Sequence, residues 1–189
     1  MRHPFLFRSC LLSRGPAHQD GAGAPAQGSA RNRRHAWWLL LFARARLPRP
    51  VLADSTNFPA SKTVAAALDV VKPGSMRELH WHPNADEWQY YMQGSARMTV
   101  FNTGPHANTT DFRPGDVGLV KRNCGHYVEN TGQDDLVFIE TFRSDHYEEV
   151  SLANWLAHLP PKLVTAHLNI PGDTLAKFPK GAQGIVPLA

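Results

Sequence analysis

A chain of 189 residues, 42% hydrophobic and 19% charged, is long enough for one domain with a sizeable core. Its net charge of +4 is unevenly spread: residues 1–50 hold nine Arg against one Asp, a balance of +8, and the remainder holds eleven Lys or Arg against fifteen Asp or Glu, a balance of −4. The part expected to fold is therefore acidic, which excludes nucleic-acid binding as its function.

Residues 1–53 read as a disordered or targeting leader. They mix Arg, Ala, Gly and Pro without an apolar period, and residues 21–29 are low in complexity. Arg31-Asn-Arg-Arg-His35 followed by Ala36-Trp-Trp-Leu-Leu-Leu-Phe-Ala43 resembles the charged and apolar regions of a secretion signal, with Val51-Leu-Ala53 as a cleavage site. Arg44 and Arg46 interrupt that pattern, and an organelle transit peptide or a misassigned start fits equally well. Eight apolar residues are too few to span a bilayer, so no membrane span is expected, and the location stays open between cytoplasm and secretion. Cys10 lies in this leader and Cys124 far along the chain, and the two are not expected to pair.

From residue 54 the texture changes. Residues 63–71 form a β-rich run closed by Lys72-Pro-Gly74, and short strands are predicted at 76–82, 87–92, 96–101, 117–120, 127–130 and 136–142, separated by Gly, Pro, Asn and Asp. Regular strand and turn spacing predicts an all-β sandwich or barrel, and the absence of an internal repeat predicts a single one. After it, Leu152, Trp155, Leu156 and Leu159 recur at helical spacing behind Ser151 as N-cap, Pro160 and Pro161 end that helix, and a second short helix covers 162–168. His158 and His167 are read as packing or surface residues there, and the Gly- and Pro-rich residues 171–189 as a loose tail. Trp81, Trp88, Tyr90 and Tyr91 are read as core or subunit contacts.

The chemistry concentrates in two stretches. His80 and His82, two residues apart in a strand, turn both imidazoles to one face, and Glu87 returns from the next turn. His126, just past a Gly-containing turn in a second strand pattern, supplies a fourth ligand. Imidazole nitrogen with carboxylate oxygen suits Mn2+, Fe2+ or Zn2+. Cys124 shares strand parity with His126 and could offer a thiolate to a soft metal.

Gly74, His80, His82, Glu87 and Gly94 fill every fixed position of the first cupin motif, Gly-X5-His-X-His-X4-Glu-X6-Gly. Gly115, His126 and Asn130 follow the second, with Lys121 where the family has Pro and Asn123 where it has Gly; Asn tolerates positive φ better than other residues with a side chain. The run Arg77-Glu-Leu-His-Trp-His-Pro-Asn-Ala-Asp-Glu-Trp-Gln-Tyr-Tyr91, with Gly125-His-Tyr-Val-Glu-Asn130, Asp145-His-Tyr147 and Ser151-Leu-Ala-Asn-Trp-Leu-Ala157, resembles the second barrel of oxalate decarboxylases over residues 54–170.

That resemblance implies a single cupin barrel (a jelly roll, or double-stranded β-helix) with short C-terminal helices, and manganese held by His80, His82, Glu87 and His126. It implies cleavage of oxalate to formate and carbon dioxide, with Arg77 polarising the bound carboxylate and Glu140 as its partner or proton donor. Dioxygen as a further ligand and a homo-oligomer, a trimer or hexamer, go with the same reading. Oxalate oxidase activity of the germin kind, or a non-catalytic metal- and acid-binding or storage role, are the alternatives. The family's Ser-Glu-Asn-Ser lid is absent; Ser144-Asp-His-Tyr-Glu-Glu149 stands in the matching link, with Asp145, His146 or Glu148 as candidate acids or as a solvated loop. Burial would raise the pKa of Glu140. Strict strand alternation puts Arg77 on the face opposite His80 and His82, so its role requires a bulge between them.

Overall fold

The structure, a computed structural model, describes residues 50–188. The leader pattern of residues 31–43, the low-complexity run at 21–29 and Cys10 lie outside the described residues.

Two antiparallel sheets face each other. One has the spatial order β1 (Val51–Ala53), β2 (Ala65–Val71), β9 (Leu136–Phe142), β4 (Glu87–Gln93) and β7 (Val117–Val120). The other runs β10 (Val150–Ser151), β3 (Ser75–Trp81), β8 (His126–Asn130), β5 (Ala96–Phe101) and β6 (Ala107–Phe112), with β11 (Ile185–Pro187) also paired to β3. This is the single jelly-roll barrel expected, and each of the seven expected strands forms within two residues of its predicted ends. The two-residue period explains why: in β2 buried and half-buried residues alternate at every step, and in β4 Glu87, Gln89 and Tyr91 turn inward while Trp88 and Tyr90 stay about half exposed.

Turns hold the strands in register. Gly94, at φ +82°, closes the β4–β5 turn, where a Cβ would lie 2.8 Å from the carbonyl oxygen of Asp135, so only glycine fits. Asn123 has φ +65°, the left-handed conformation expected of an asparagine in the glycine position of the second motif. Ser151 caps α1 (Leu152–Ala157), accepting from the Asn154 backbone N–H at 3.3 Å, and α2 (Pro161–Leu168) and α3 (Gly172–Leu175) follow.

The interior divides by chemistry. Tyr91 stacks between Phe112 (4.5 Å) and Phe138 (5.3 Å) in an apolar plug with Met98, Val128 and Leu136, each such side chain contributing about 1.5–3 kcal/mol of burial. Phe142, Ala65 and Ala85 form a second, smaller apolar cluster with Tyr147 packed on it. Buried beside these clusters are Asp69, Arg77, His80, His82, Glu87, Gln89, His126 and Glu140, an unusual polar load for the inside of a barrel.

Three expectations fail. Residues 171–189 are not loose: they contain α3, and Ile185, Val186 and Pro187 pair with Arg77, Met76 and Ser75. A strand edge on β3 supplies hydrogen bonds that the tail's Gly and Pro content does not advertise. Val51–Ala53, read as the end of the leader, instead pairs with Leu68, Ala67 and Ala66 as an edge strand. Cys124 is disulfide-bonded, and so offers no thiolate to a metal.

Candidate metal centre

Strand β3 brings the site together by breaking its own alternation. Its ladder to β8 steps from Arg77↔Val128 to His80↔His126, three residues against two, so one extra residue bulges between them. The bulge reverses parity, and Arg77 and His80 both point inward, fully buried. Glu78, inside the bulge, is held on three sides: Oε1 accepts from the Gln183 and Gly184 backbone N–H groups at 2.8 Å each, Oε2 from the Ser151 hydroxyl at 2.7 Å, and its carbonyl from His80 Nδ1 at 2.6 Å.

Each histidine is oriented the same way. His82 Nδ1 donates to the Glu148 carbonyl at 2.7 Å and His126 Nδ1 to the Cys124 carbonyl at 3.1 Å. A carbonyl can only accept, so all three rings carry their proton on Nδ1 and turn the Nε2 lone pair inward. Burial, with the Arg77 guanidinium next, holds His80 well below the usual histidine range, which keeps it neutral.

The result is a set of acceptors with nothing to accept. His80 Nε2 and His82 Nε2 face each other at 3.1 Å, and Glu87 Oε2 lies 3.2 Å from His82 Nε2 and 2.8 Å from His126 Nε2. Glu87 Oε2 and His126 Nε2 are both buried without a hydrogen-bond partner. Four lone pairs converging within 4.8 Å repel unless a cation sits among them. Separations near 3 Å are those of adjacent donors around one ion with bonds of about 2.0–2.2 Å. The donor set therefore fits a divalent metal, and all four residues expected to ligate come together.

Next to this set lies a charged cluster. Arg77 ion-pairs with Glu149, donates to the Tyr147 hydroxyl oxygen at 2.5 Å and to the Gly184 carbonyl at 3.2 Å, and its Nε stands 3.3 Å from Asp69 and 3.9 Å from Glu140. Arg77, Asp69 and Glu140 are all wholly buried. Burial, reinforced by the neighbouring carboxylates of Asp69 and Glu87, raises Glu140 well above the usual glutamate range. Burial likewise raises Asp69 to about 7 although Arg77 opposes it.

Asp69, Tyr147 and Glu149 were not singled out from the sequence. Asp69 carried a signal, since it shares parity with Ala65, Ala67 and Val71 on the inward face of β2. Tyr147 and Glu149 sit in the non-periodic link 144–149, where the outward residues drew notice instead: Asp145, His146 and Glu148 are close to half exposed, and His146 is hydrogen-bonded to both acids at 2.8 and 2.7 Å. His158, with its ring on the Asn154 carbonyl, and His167 stand outside the set, on the helices.

A family model described as "Cupin" matches residues 49–175. The chain belongs to the cupin family. It is 59% identical over 122 residues to the oxalate decarboxylase OxdC of Bacillus subtilis (strain 168), an alignment covering 65% of this chain and 32% of the relative. It is 46% identical over 136 residues to an oxalate decarboxylase of Arthroderma benhamiae, covering 71% and 32%. A solved structure from work on the Mn(II) centres of Bacillus subtilis oxalate decarboxylase superposes with a TM-score of 0.71 at 51% identity, covering 74% of this cupin and 39% of that chain. The chain thus spans about a third of the length of the curated relatives it matches.

Proposed function

We propose that this cupin is a manganese-dependent oxalate decarboxylase that converts oxalate to formate and carbon dioxide. The observation that carries the reading is the convergence of four buried ligand residues, with Glu87 Oε2 and His126 Nε2 lacking any hydrogen-bond partner, beside a buried arginine and a buried carboxyl. Similarity to two oxalate decarboxylases and to a structure with Mn(II) centres supports the substrate and the ion.

In this reading His80, His82, Glu87 and His126 hold the manganese, with Fe2+ and Zn2+ as ions the same donors accept. The ion supplies Lewis acidity and one-electron chemistry when bound. Imidazoles that bind an ion through Nε2 bring no charge, so Glu87 is the sole negative donor and a divalent ion there keeps net positive charge for an anionic acid. Arg77, a further fixed positive charge, orients a carboxylate group there. The overall step breaks one C–C bond and forms one C–H bond; oxalate dianion plus one proton gives carbon dioxide and formate, with no net electron change. In this reading Glu140, whose carboxyl burial raises well above the usual glutamate range, delivers that proton. The exposed apolar residues of the helical hairpin, Trp155, Leu163 and Leu168, support a homo-oligomer.

Purified protein loaded with manganese and given oxalate in air is expected to yield formate without peroxide. Peroxide with two carbon dioxide per oxalate would make it an oxidase, and no product with metal bound would make it a binding protein. Glu140→Gln is expected to lower turnover by about 10²–10⁴-fold with metal content unchanged.

A further inference from the structure

Asp69 belongs to neither cupin motif, yet it is wholly buried. In the β2–β9 ladder its partner is Phe138, and Glu140 lies two residues further along, opposite Ala67. Asp69 and Glu140 are therefore diagonal neighbours on one inward face, within reach of each other. All four of their carboxyl oxygens are buried without a hydrogen-bond donor. Arg77 does not supply one, since its Nε approaches Asp69 at 3.3 Å without the alignment of a hydrogen bond.

The charges around the pair decide its state. From β3 comes the single guanidinium of Arg77; from β4 come Glu87 and the phenol of Tyr91; from the link 144–149 come Glu149 and Tyr147. Glu149 is the carboxylate bonded to Arg77 and to the Tyr147 hydroxyl; though its own burial opposes ionisation, these contacts hold it below the usual range, so the guanidinium is already shared with one carboxylate. A single guanidinium cannot also balance two further ionised carboxylates sealed from water. Two ionised carboxylates can only accept, whereas one proton between them turns the clash into a hydrogen bond. The upward shifts of both groups agree with this geometry.

We propose that Asp69 is a positioning residue that shares one proton with Glu140, so that Glu140 faces the metal site as an acid. Its part in proton delivery rests on the decarboxylase reading; the shared proton itself does not. An amide at either position would supply the missing hydrogen, and the remaining carboxyl would then ionise against Arg77.

Infrared spectra of the full-length zinc-loaded protein at about pH 6, some two units above ordinary carboxyl values, read the pair directly. The wild type is expected to keep a protonated-carboxyl band that is lost in both Asp69→Asn and Glu140→Gln. A wild type without the band, or a band that survives in Asp69→Asn, overturns the proposal, and Glu140→Gln gives an independent reading should the first variant not fold. With manganese and oxalate, Asp69→Asn is expected to move the alkaline limb of the kcat profile down by about one pH unit or more with KM for oxalate unchanged; a coincident profile overturns the positioning role. Should the wild type leave oxalate untouched, the infrared result still decides the shared proton, and only the substrate reading falls.

Discussion

Gln89 touches no expected metal ligand atom, yet it determines how one is presented. Its amide donates to Glu87 Oε1 at 2.5 Å and its carbonyl accepts from the Tyr91 hydroxyl at 2.6 Å, which leaves Oε2 as the carboxylate oxygen facing the imidazoles. Gly118 opposite allows this, since a Cβ there would press on Gln89 Oε1 at 3.0 Å. Gln89→Met keeps the volume and removes the amide, and is expected to weaken metal binding about 10–100-fold in a competition titration with a chelating dye. Asp69 adds a dependence on pH. Its folded value of about 7 lies above the ordinary 3.8, so the folded chain holds more protons than the unfolded chain between those values. Stability from this group is complete below about pH 4 and is lost as pH rises toward 7, by at most about 1.4 kcal/mol per pH unit. Urea midpoints of the metal-free wild type are therefore expected to fall against those of Asp69→Asn across that window; parallel curves would contradict it.

At the scale of elements, the β7–β8 turn shows how a departure from a family pattern is absorbed. Lys121, in the proline position, is tied by its ammonium to Asp86, which also accepts from the Arg122 backbone N–H at 2.9 Å. Asn123 takes the left-handed conformation and donates its N–H to the His82 carbonyl at 3.0 Å, linking the turn to the first motif. Asn123→Gly is expected to leave the urea midpoint nearly unchanged, while Asn123→Val costs about 1–2 kcal/mol for a branched side chain at positive φ and weakens metal binding by displacing His126. Most strands were legible because their inward faces alternate. β6 was not, since only Phe112 among its six residues is buried and both faces are polar. The bulge in β3 was legible only as a requirement, from the wrong parity of Arg77 against His80. Asp69 could be found by parity with Ala67 and Val71, whereas Tyr147 and Glu149 sit in a link without periodicity and meet Arg77 across 70 and 72 residues of chain.

Across the whole molecule, the end of the chain is fastened to the same strand that carries the site. Gly184 is the joint: its N–H donates to Glu78 Oε1, and its carbonyl accepts from the Glu78 backbone N–H at 2.9 Å and from Arg77 Nη1 at 3.2 Å. Glu78 sits in the bulge that turns Arg77 and His80 inward together, so the tail stabilises the backbone feature on which the site depends. Deleting residues 182–189 removes two backbone donors from a buried carboxylate, each worth about 1.5–3 kcal/mol, and one acceptor from a buried guanidinium. Water entering the opened edge offsets part of this, which leaves an expected loss of about 3–5 kcal/mol. Relaxation of the bulge would swing His80 out of the donor set, so the truncated chain is also expected to bind divalent metal more weakly. Urea unfolding with a parallel metal titration separates the two effects. A midpoint and an affinity both equal to those of the full chain would mean that β3 keeps its extra residue without the tail, and that pairing with β8 alone sets the geometry of the site.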